Sequence, residues 1–497
     1  MIEQFFEAVE HGVSYVMSKL KGDINDYCDL ETTSGANLVA KDGSIGTVLR
    51  YGGYRSLLGR EEFQGLVNDF TSFSDVFLGR RGHSIQVVFS RENDPTQEIR
   101  RILAPMYETA EALQLDVTDI LDEKVAVHAH HCMDEQTYFV LWTTKAVLSP
   151  DELKLSRAEQ AALRQQHNIP PMQNAQDILR PLRFLEERHD TFVKKVVDEL
   201  TRMHCAVDIV DAGEAICQLS RFLYRSRPYT WRPVLLGNDG MIARWKENKR
   251  MHDISETMYP RLDDQIFKAP AEIGKRQKKG VDDGGLTDTR AVRIADRIFA
   301  PVGVKIPASK EITFEQLFMA MNNAGVEVEH NGRRSMQRVP YAISFLIEGD
   351  GLRAMDLKAT IAGVLSMGGA GNRNLAAAVS HLRRYRDAAH ATVVKMQVMA
   401  VTWADQGEQK VLSLRRSKLS GALEGWGNSV AEEEFGDPLE ALMSVVPAMS
   451  RSSIAASSAP PLAFRRNMAR PASSTRRSPN AASSVSRWAW APMVCAR

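Results

Sequence analysis

The sequence predicts an α+β protein in which helices pack on mixed sheets, with a mainly helical middle region and a disordered C-terminal tail. Short apolar alternations, typical of strands, interchange along the chain with longer segments whose apolar residues recur at helical spacing. Of the 497 residues, 44% are hydrophobic and 25% are charged, a composition that can build a buried core. The last 47 residues depart from this composition and hold no sustained apolar period.

An N-terminal α+β domain is predicted for residues 1–148, with its helices on one face of a mixed sheet. Its opening segment is amphipathic and is expected to dock on protein, with a membrane surface as the alternative. Asp42-Gly43 predicts a tight turn between two strands, because this pair tolerates positive φ. Asp94-Pro95 is expected to cap a helix that Pro105 kinks. The predicted elements are a helix over 2–20, strands over 38–40 and 45–50, a helix over 63–77, a strand over 85–89, the Pro105 helix and a strand over 138–142.

Residues 149–172 are expected to form a polar helical connector, and residues 173–273 a mainly helical region. Ser149-Pro150-Asp151-Glu152 combines a capping box with proline at the first helical position, which predicts the start of a helix. A longer helix is expected over 182–200, and Asp211-x-x-Glu214 predicts a second capping box after it.

An exposed loop is predicted for residues 274–290, since Gly, Lys and Asp follow one another there without an apolar period. A second α+β region follows over 291–446. Its apolar spacing predicts helices over 314–321, 352–365, 375–385 and 411–423, and strands over 341–347 and 393–403.

The tail over 447–497 has an unusual composition. From Arg451 onward it holds eight Arg and ten Ser but no Asp, Glu or Lys, so that the residues before it carry a net charge of −7. Arg, Ala, Ser and Pro together are what a G+C-rich gene yields when it is read out of frame, and a frameshift near Ser450 is the favoured explanation. A basic arm that binds polyanions and a plain linker are the alternatives. The scarcity of apolar residues predicts disorder, because burial does not offset the entropy of ordering.

Composition also argues against export and membrane insertion. Five scattered cysteines without a C-x-x-C pair disfavour a disulfide framework and indicate a reducing compartment. The apolar runs are far shorter than the ~20 residues of a membrane-spanning helix, and the N-terminus is acidic where a leader peptide is basic. The sequence therefore predicts a cytoplasmic protein without a transmembrane segment.

One dense set of metal-ligand side chains occurs in the sequence. On a helix, i, i+3 and i+4 spacing brings three of them to one face, as a transition-metal site requires. The same stripe continues with apolar residues, which equally indicates packing. A metal-dependent enzyme centred on this set is kept as an alternative, and no metal ligand is assigned. The set comprises His128, His130, His131, Cys132, Asp134 and Glu135.

No phosphate-binding G-x-x-x-x-G-K-[ST] motif occurs in the sequence. Gly368–Arg373 is glycine-rich but is expected to form a turn between helices, and Gly274-Lys275-Arg276 has no predicted strand before it. Arginine clusters within 333–338 and 383–386 have acidic neighbours, which favours a solvated or protein-docking face over nucleic-acid contact. The residues themselves thus indicate no catalytic residue, no cofactor and no metal site.

Seven short segments follow one another along the chain: Tyr27-x-x-Leu30-Glu31-Thr32, LVAKDGS over 38–44, GYRSLLG over 53–59, QVVFS over 86–90, YFVLWT over 138–143, WRPVL over 231–235 and DPLEAL over 437–442. In this order they resemble the N-terminal half of the DotO/IcmB ATPase of type IVB secretion systems and of its conjugal-transfer relative TraU. The likeness runs from residue 1 to about residue 450. The segments are structural and carry no catalytic motif.

The resemblance implies a cytoplasmic ATPase that assembles as a hexamer at the inner-membrane complex and energises transport of effector proteins or a relaxosome-DNA substrate. In that family the nucleotide motifs lie in a RecA-like C-terminal half, so no catalytic residue carries over to this chain. We therefore expect an assembly or docking module of such an ATPase, truncated near residue 450 and not itself an enzyme.

The expected partners are other secretion or conjugation subunits at the inner membrane, with self-association as an option and without direct nucleic-acid binding. The expected location is cytoplasmic, or peripheral at the inner membrane. Two alternatives stand beside this function: the metal-dependent enzyme and a nucleic-acid-binding protein that uses the Arg-rich tail.

Overall fold

The computed structural model describes residues 23–57, 59–79, 81–167, 175–177, 179–228, 230–236, 259–275, 285–305, 314–330, 333–349, 380, 383–384, 393–426, 429–449 and 462–463. The predicted helices over 2–20 and 352–365 lie outside these residues. Of the predicted helix over 375–385, three residues are described, and all three are helical.

In the first half of the chain a strand meander is followed by helices that alternate with long strands. The strands are β1 (Leu30–Ser34), β2 (Asn37–Ala40), β3 (Ile45–Tyr54), β4 (His83–Glu92), β5 (Asp134–Thr143) and β6 (Cys205–Ile209). The helices are α1 (Arg60–Leu78), α2 (Thr96–Ala112), α3 (Thr118–His131), α4 (Pro150–His167), α5 (Arg183–Arg202) and α6 (Ala212–Leu223).

In the second half the same alternation continues. The strands are β7 (Ala271–Ile273), β8 (Val292–Ile294), β9 (Arg297–Lys305), β10 (Gly325–His330), β11 (Arg333–Arg338), β12 (Tyr341–Glu348), β13 (Val393–Asp405), β14 (Val430–Glu432) and β15 (Leu462–Ala463). The helices are α7 (Leu262–Ile266), α8 (Phe314–Asn323), α9 (Gln409–Glu424) and α10 (Pro438–Met443).

Thirteen of these strands form one sheet. Ten follow the order β1-β2-β3-β5-β4-β12-β13-β9-β8-β7, while β6, β14 and β15 pair with β3, β9 and β13. The α+β class is confirmed. The expected mixed character is not found, because every strand pair among the described residues is antiparallel. Neighbours such as β1 and β2 turn back directly on each other, which produces antiparallel pairing without a crossover.

The pairing of β4 with β12 joins the two predicted α+β regions. Its register runs from Arg91 opposite Tyr341 to Ser84 opposite Glu348. Strands from residues 1–148 and from 291–446 therefore share one sheet, and the predicted boundaries do not separate two sheets.

Helices cover both faces of the sheet, not one as expected. One face packs against α6, α7, α10 and the segment that follows α10. The opposite face packs against α1, α5, α8 and α9. The reason lies in strands such as β5, where Tyr138 to Thr143 are all buried and successive side chains point to opposite faces. A strand that is apolar at every position needs cover on both sides.

Two local predictions are confirmed in detail. Gly43 has a φ of +78° in the turn between β2 and β3, with Asp42 before it. At the start of α4 the backbone N–H of Glu152 donates to Ser149 Oγ (3.2 Å), and the Ser149 N–H donates to Glu152 Oε2 (2.9 Å). This reciprocal pair is the capping box that the sequence predicts.

Other local predictions need correction. The Asp211 box is half formed, because Asp211 caps the Gly213 N–H whereas the Glu214 carboxylate accepts from Gln218. The loop predicted over 274–290 is not exposed throughout. The Leu286 side chain is buried in a small core cluster, and the Leu286 carbonyl accepts a hydrogen bond from the Lys275 N–H. A strand, β7, does precede Gly274.

The predicted disordered tail also needs correction at its start and at one further point. Ala448 and Met449 are buried in the core beneath the sheet, because the segment after α10 packs on the same face as α6. Leu462–Ala463 pairs with Val393 and Val394 at the start of β13. The other residues after Met449 lie outside the described part of the chain.

Candidate functional site

The structure does not bring the predicted metal-ligand set together. His128, His130 and His131 form the last turn of α3, and the Cys132 N–H ends that helix on the His128 carbonyl. The remaining two residues lie on extended β5, where neighbouring side chains point to opposite faces. Among the described residues, no group of three or more His, Cys, Asp or Glu side chains is arranged to hold a metal ion.

The two acidic members of that set have other partners. Glu135 Oε1 accepts from Arg91 Nε at 2.7 Å, while the Asp134 carboxylate accepts from Gln136 Nε2 at 3.1 Å. Each of these two carboxylates therefore has a hydrogen-bond partner on the sheet.

The basic and glycine-rich candidates lie only in part within the described residues. On the β10–β11 hairpin, Arg334 is the register partner of Glu329, consistent with the acidic neighbours seen in the sequence. Arg338 is exposed on the same hairpin. Arg383 and Arg384 are also exposed. Arg386 and Gly368–Arg373 lie outside the described residues.

The most distinctive surface feature is a helical hairpin formed by α2 and α3. It is inserted between β4 and β5, whose adjoining ends are paired through Glu92 and Asp134. Because α2 leaves one strand end and α3 returns to its neighbour after a five-residue loop, the two helices run antiparallel. The sheet therefore anchors both ends of the hairpin.

The two helices pack through a narrow seam. Leu103 and Ala110 on α2, and Leu121 and Val125 on α3, are the buried residues of the hairpin. The Tyr107 hydroxyl donates to Asp122 Oδ1 at 2.8 Å across the pair. Partial removal from solvent, and after it this hydrogen bond, raises the Tyr107 pKa. The main packing partner of each helix, within the described part of the chain, is the other helix.

Large apolar side chains remain exposed beside this seam. The exposed fraction is 63% for Ile102, 50% for Met106 and 64% for Leu113 on α2 and at its end. It is 60% for Ile120 and 52% for Val127 on α3. We call these five residues the apolar face of the hairpin.

The five residues share one side of the hairpin. Ile102, Met106 and Leu113 follow i, i+4 and i+11 spacing, and Ile120 and Val127 follow i, i+7 spacing, so each group forms one stripe. When each helix is viewed from its own N-terminus, the exposed stripe is offset from the buried seam in the same rotational direction. Since the helices are antiparallel, both stripes face the same way.

Sequence reasoning missed this surface, although a signal was present. The apolar positions of α2 include Ile99 and Leu103 as well as the exposed stripe. Such an arc is wider than one neighbouring helix can cover, which indicates a second contact.

The charged residues of the hairpin between Ile102 and Val127 are mainly acidic. Between Ile102 and Val127 the sequence has six carboxylates and one lysine, and all seven side chains are exposed. The carboxylates are Glu108, Glu111, Asp116, Asp119, Asp122 and Glu123. The formal net charge of this segment is therefore −5.

A cleft of about 120 Å³ lies at the base of the hairpin, between the ends of β4 and β5 and helix α6. Ion pairs line it: Arg297 Nη2 donates to Glu92 Oε2 at 2.6 Å, and Arg225 pairs with Asp94. These pairs link α6 and β9 to the strand end from which the hairpin leaves, so they support its base.

Asp134 in this cleft has a perturbed carboxyl group. Burial raises its pKa from 3.8 to about 6, although the hydrogen bond from Gln136 opposes the shift. The folded state therefore binds more protons than the unfolded chain between pH 3.8 and about 6. The stabilisation is complete below this window and is lost as the pH rises through it.

Asp134→Asn is expected to raise the free energy of unfolding by about 2 kcal/mol at pH 7, because the amide avoids burial of a charge. Urea unfolding at pH 7 and at pH 4 measures this, with Asp116→Asn on the exposed loop as the matched control. The free energies of unfolding of Asp134→Asn and the unchanged chain should differ at pH 7 and converge at pH 4, whereas Asp116→Asn should match the unchanged chain at both pH values. A gain that is equal at both pH values would contradict the assignment.

In comparisons with known proteins, no protein-family model and no curated protein matches the chain. Among the described residues, no helix combines the length and the apolar character needed to cross a bilayer.

Proposed function

We propose that this chain is an assembly and docking module of a type IVB secretion or conjugative DNA-transfer ATPase, located in the cytoplasm at the periphery of the inner-membrane complex. The order of segments that resembles DotO/IcmB and TraU supports the choice of machinery. The observation that carries the docking role is the apolar face of the hairpin, where five large side chains remain in water.

The energetics of this face favour association. Burying a large apolar side chain is worth about 1.5–3 kcal/mol before the costs of ordering and lost freedom are subtracted. Contiguous exposed apolar residues with a polar border are typical of protein–protein contacts. The anchored ends of the hairpin reduce the entropy lost on binding, because its position is set before the partner arrives.

A docking role does not depend on nucleotide chemistry. The chain has no phosphate-binding motif of the P-loop type, and we expect its ATP turnover with Mg²⁺ to equal that of a blank. Such a module occupies a place in the assembly without driving transport.

The test measures whether this chain inhibits DNA transfer from a donor cell that carries an intact conjugation system of the type IVB class. A docking module that cannot drive transport should compete with the resident ATPase, and its overproduction is expected to lower the transfer frequency by at least about tenfold. Substituting Met106→Ser together with Val127→Ser, the face variant, should restore most of the frequency, since a few apolar side chains carry most of the binding energy of an interface.

The control variant is Leu155→Ser with Leu414→Ser. These leucines are 50% and 52% exposed, as Met106 and Val127 are, but lie on α4 and α9. The control variant should inhibit as strongly as the unchanged chain. Absence of inhibition by the unchanged chain, at equal protein levels, would refute the proposed function.

A further inference from the structure

We propose that helix α4 is held on the fold by ion pairs and undocks from it as a unit when salt screens those pairs, while the sheet and helix α5 stay folded. The inference concerns a conformational change and is independent of the proposed docking function, because it involves another part of the surface. It follows from the side chains that α4 turns toward the fold, from their contacts and from the exposure of those contacts.

The side of α4 that faces the fold is polar. Over residues 150–166 only Ser156 is buried, and five other residues are half-buried. These six positions follow one another at intervals of one, three or four residues, so they form one stripe along the helix. Its single apolar member, Leu153, packs against a small cluster that includes Ile45 and Leu185. The stripe consists of Glu152, Leu153, Ser156, Glu159, Gln160 and Arg164.

The neighbouring helix α5 shows the opposite arrangement. Five of its six buried residues are apolar, and four of these belong to the core on one face of the sheet. Burial of apolar surface is not an interaction between charges, so salt does not screen the contacts that hold α5. The six residues are Leu185, His189, Phe192, Val193, Val196 and Leu200.

Two carboxylates of the α4 stripe pair with arginines of α5. Glu152 Oε1 accepts from Arg188 Nη2 at 2.8 Å. The Glu159 carboxylate accepts from Arg183 Nε at 3.1 Å and from Arg183 Nη2 at 2.9 Å. Hydrogen bonds from the Ser149 backbone and from Arg188 lower the Glu152 pKa from 4.5 to about 2, and those from Arg183 lower the Glu159 pKa. Both carboxylates are therefore charged at neutral pH.

The C-terminal part of the stripe contacts the segment that precedes α5. Arg164 pairs with Asp177, and Gln160 Nε2 donates to the backbone carbonyls of Leu179 and Arg180. These contacts are also polar. The described attachment of α4 thus combines three ion pairs, one amide side chain and one leucine.

The exposure of the ion pairs makes this attachment weak. The side chains of Arg183 and Arg188 are 54% and 57% exposed, so water and dissolved ions reach both pairs with α5. Exposed ion pairs stabilise a contact only slightly, and salt weakens them further. Of the three pairs, only that of Arg164 contains a buried partner, Asp177. We therefore expect α4 to open at a lower free energy than the apolar core.

Hydrogen exchange of the full chain, followed by mass spectrometry at about 0.05 M and about 1 M NaCl and at one pD, tests the inference. An isolated helix of this length is only partly formed in water, so amides of an undocked α4 exchange. We expect exchange over residues 154–166 to accelerate at least about fivefold at the higher salt concentration. The amides of α5 are the internal control and should keep their protection.

The first variant removes the two pairs with α5. Glu152→Gln with Glu159→Gln should accelerate exchange of α4 about tenfold at low salt and remove most of its salt dependence. Glutamine at position 152 still completes the capping box with Ser149. The matched control is Asp151→Asn, which removes a carboxylate of the same helical turn that lies outside the stripe and should change exchange by less than about twofold.

A charge exchange separates a lost ion pair from general damage to the helix. Glu159→Arg alone should accelerate exchange of α4, because it places a cation beside Arg183. Adding Arg183→Glu should recover most of the protection, since the pair is restored with its charges reversed. A helix that had simply lost its fold would not recover.

Three results would overturn the inference. The first is protection of α4 that equals that of α5 and does not change with salt. The second is failure of the charge exchange to recover protection. The third is a main thermal transition that the double Gln variant lowers in parallel with α4 protection, because α4 would then unfold only together with the sheet.

Discussion

A chain that ends after Gly436 is expected to lose its cooperative unfolding transition, whereas a chain that ends after Met449 is expected to keep it. The thirteen residues between these ends form α10 and the segment beneath the sheet. Each large apolar side chain buried there contributes about 1.5–3 kcal/mol, and together they approach the ~5–15 kcal/mol stability of a whole domain. The buried apolar residues are Leu439, Ala441, Leu442, Met443, Val445, Val446, Ala448 and Met449.

Polar contacts add to this loss. Gln86 on β4 is 2% exposed, and its side-chain amide donates to the Ser444 carbonyl at 3.2 Å and accepts from the Ala448 N–H at 3.1 Å. The Tyr27 hydroxyl donates to Asp437 Oδ2 at 2.6 Å. Removing the segment breaks these hydrogen bonds of buried groups, at a cost of about 1–3 kcal/mol for each polar atom that loses its partner.

Circular dichroism in the near ultraviolet and thermal unfolding would measure the outcome. The longer of the two chains is the matched control, because it retains every buried residue of this segment. A native-like transition in the chain ending after Gly436 would show that the segment is dispensable and would contradict its place in the core.

The second large effect is a loss of stability in acid that arises from His189. This side chain is completely buried on α5, within 2.7 Å of Thr47 Oγ1 and 2.8 Å of Thr143 Oγ1. Burial, with a smaller contribution from nearby His83, lowers its pKa from 6.5 to about 3. Between these values the unfolded chain binds the proton and the folded chain does not. The free energy of unfolding therefore falls as the pH falls from 6.5 toward 3.

We expect this contribution to reach about 4 kcal/mol at pH 3, at about 1.4 kcal/mol for each pH unit in the window. The measurement is the difference in unfolding free energy between the unchanged chain and His189→Gln, followed by urea unfolding from pH 7 to pH 3. The difference is needed because buried carboxyl groups act in the opposite sense: burial raises the pKa of Glu31 to about 7. Parallel pH profiles for the two proteins would contradict the prediction.

Local elements were predictable because their signals lie within a few residues. The turn at Gly43 needs a residue that tolerates positive φ, and the start of α4 needs only Ser149 and Glu152 at the correct spacing. The composition change near Ser450 is also close to the last buried residue of the core segment, Met449.

The strands that prediction missed carry weak or short signals. In the β10–β11 hairpin, β10 alternates Val326 and Val328 with Glu327 and Glu329 over only a few residues, and β11 has Met336 as its single apolar residue. The short strand β6 is stabilised by its pairing with β3, where Leu49 lies opposite Ile209. Tertiary contacts outweigh local propensity in such segments.

In the candidate site, too, local sequence and tertiary structure determine different features. The sequence identified six metal-ligand side chains by their proximity in the chain, but the change from helix α3 to strand β5 separates them. Ile102 and Val127 are distant in the sequence and come to one face because α2 and α3 are antiparallel. Their exposure could not be predicted, because it depends on where the sheet holds the two ends of the hairpin.

The residues alone determine the α+β class, most of the described helices, the turn at Gly43 and the capping box at Ser149, since backbone preferences and apolar period act over a few residues. The joining of distant segments into one antiparallel sheet, the burial of Met449 and the exposure of the hairpin face follow from the folded arrangement. These features depend on which surfaces meet, and residues that meet across more than two hundred positions, as Arg91 and Tyr341 do, leave no periodic trace in the chain.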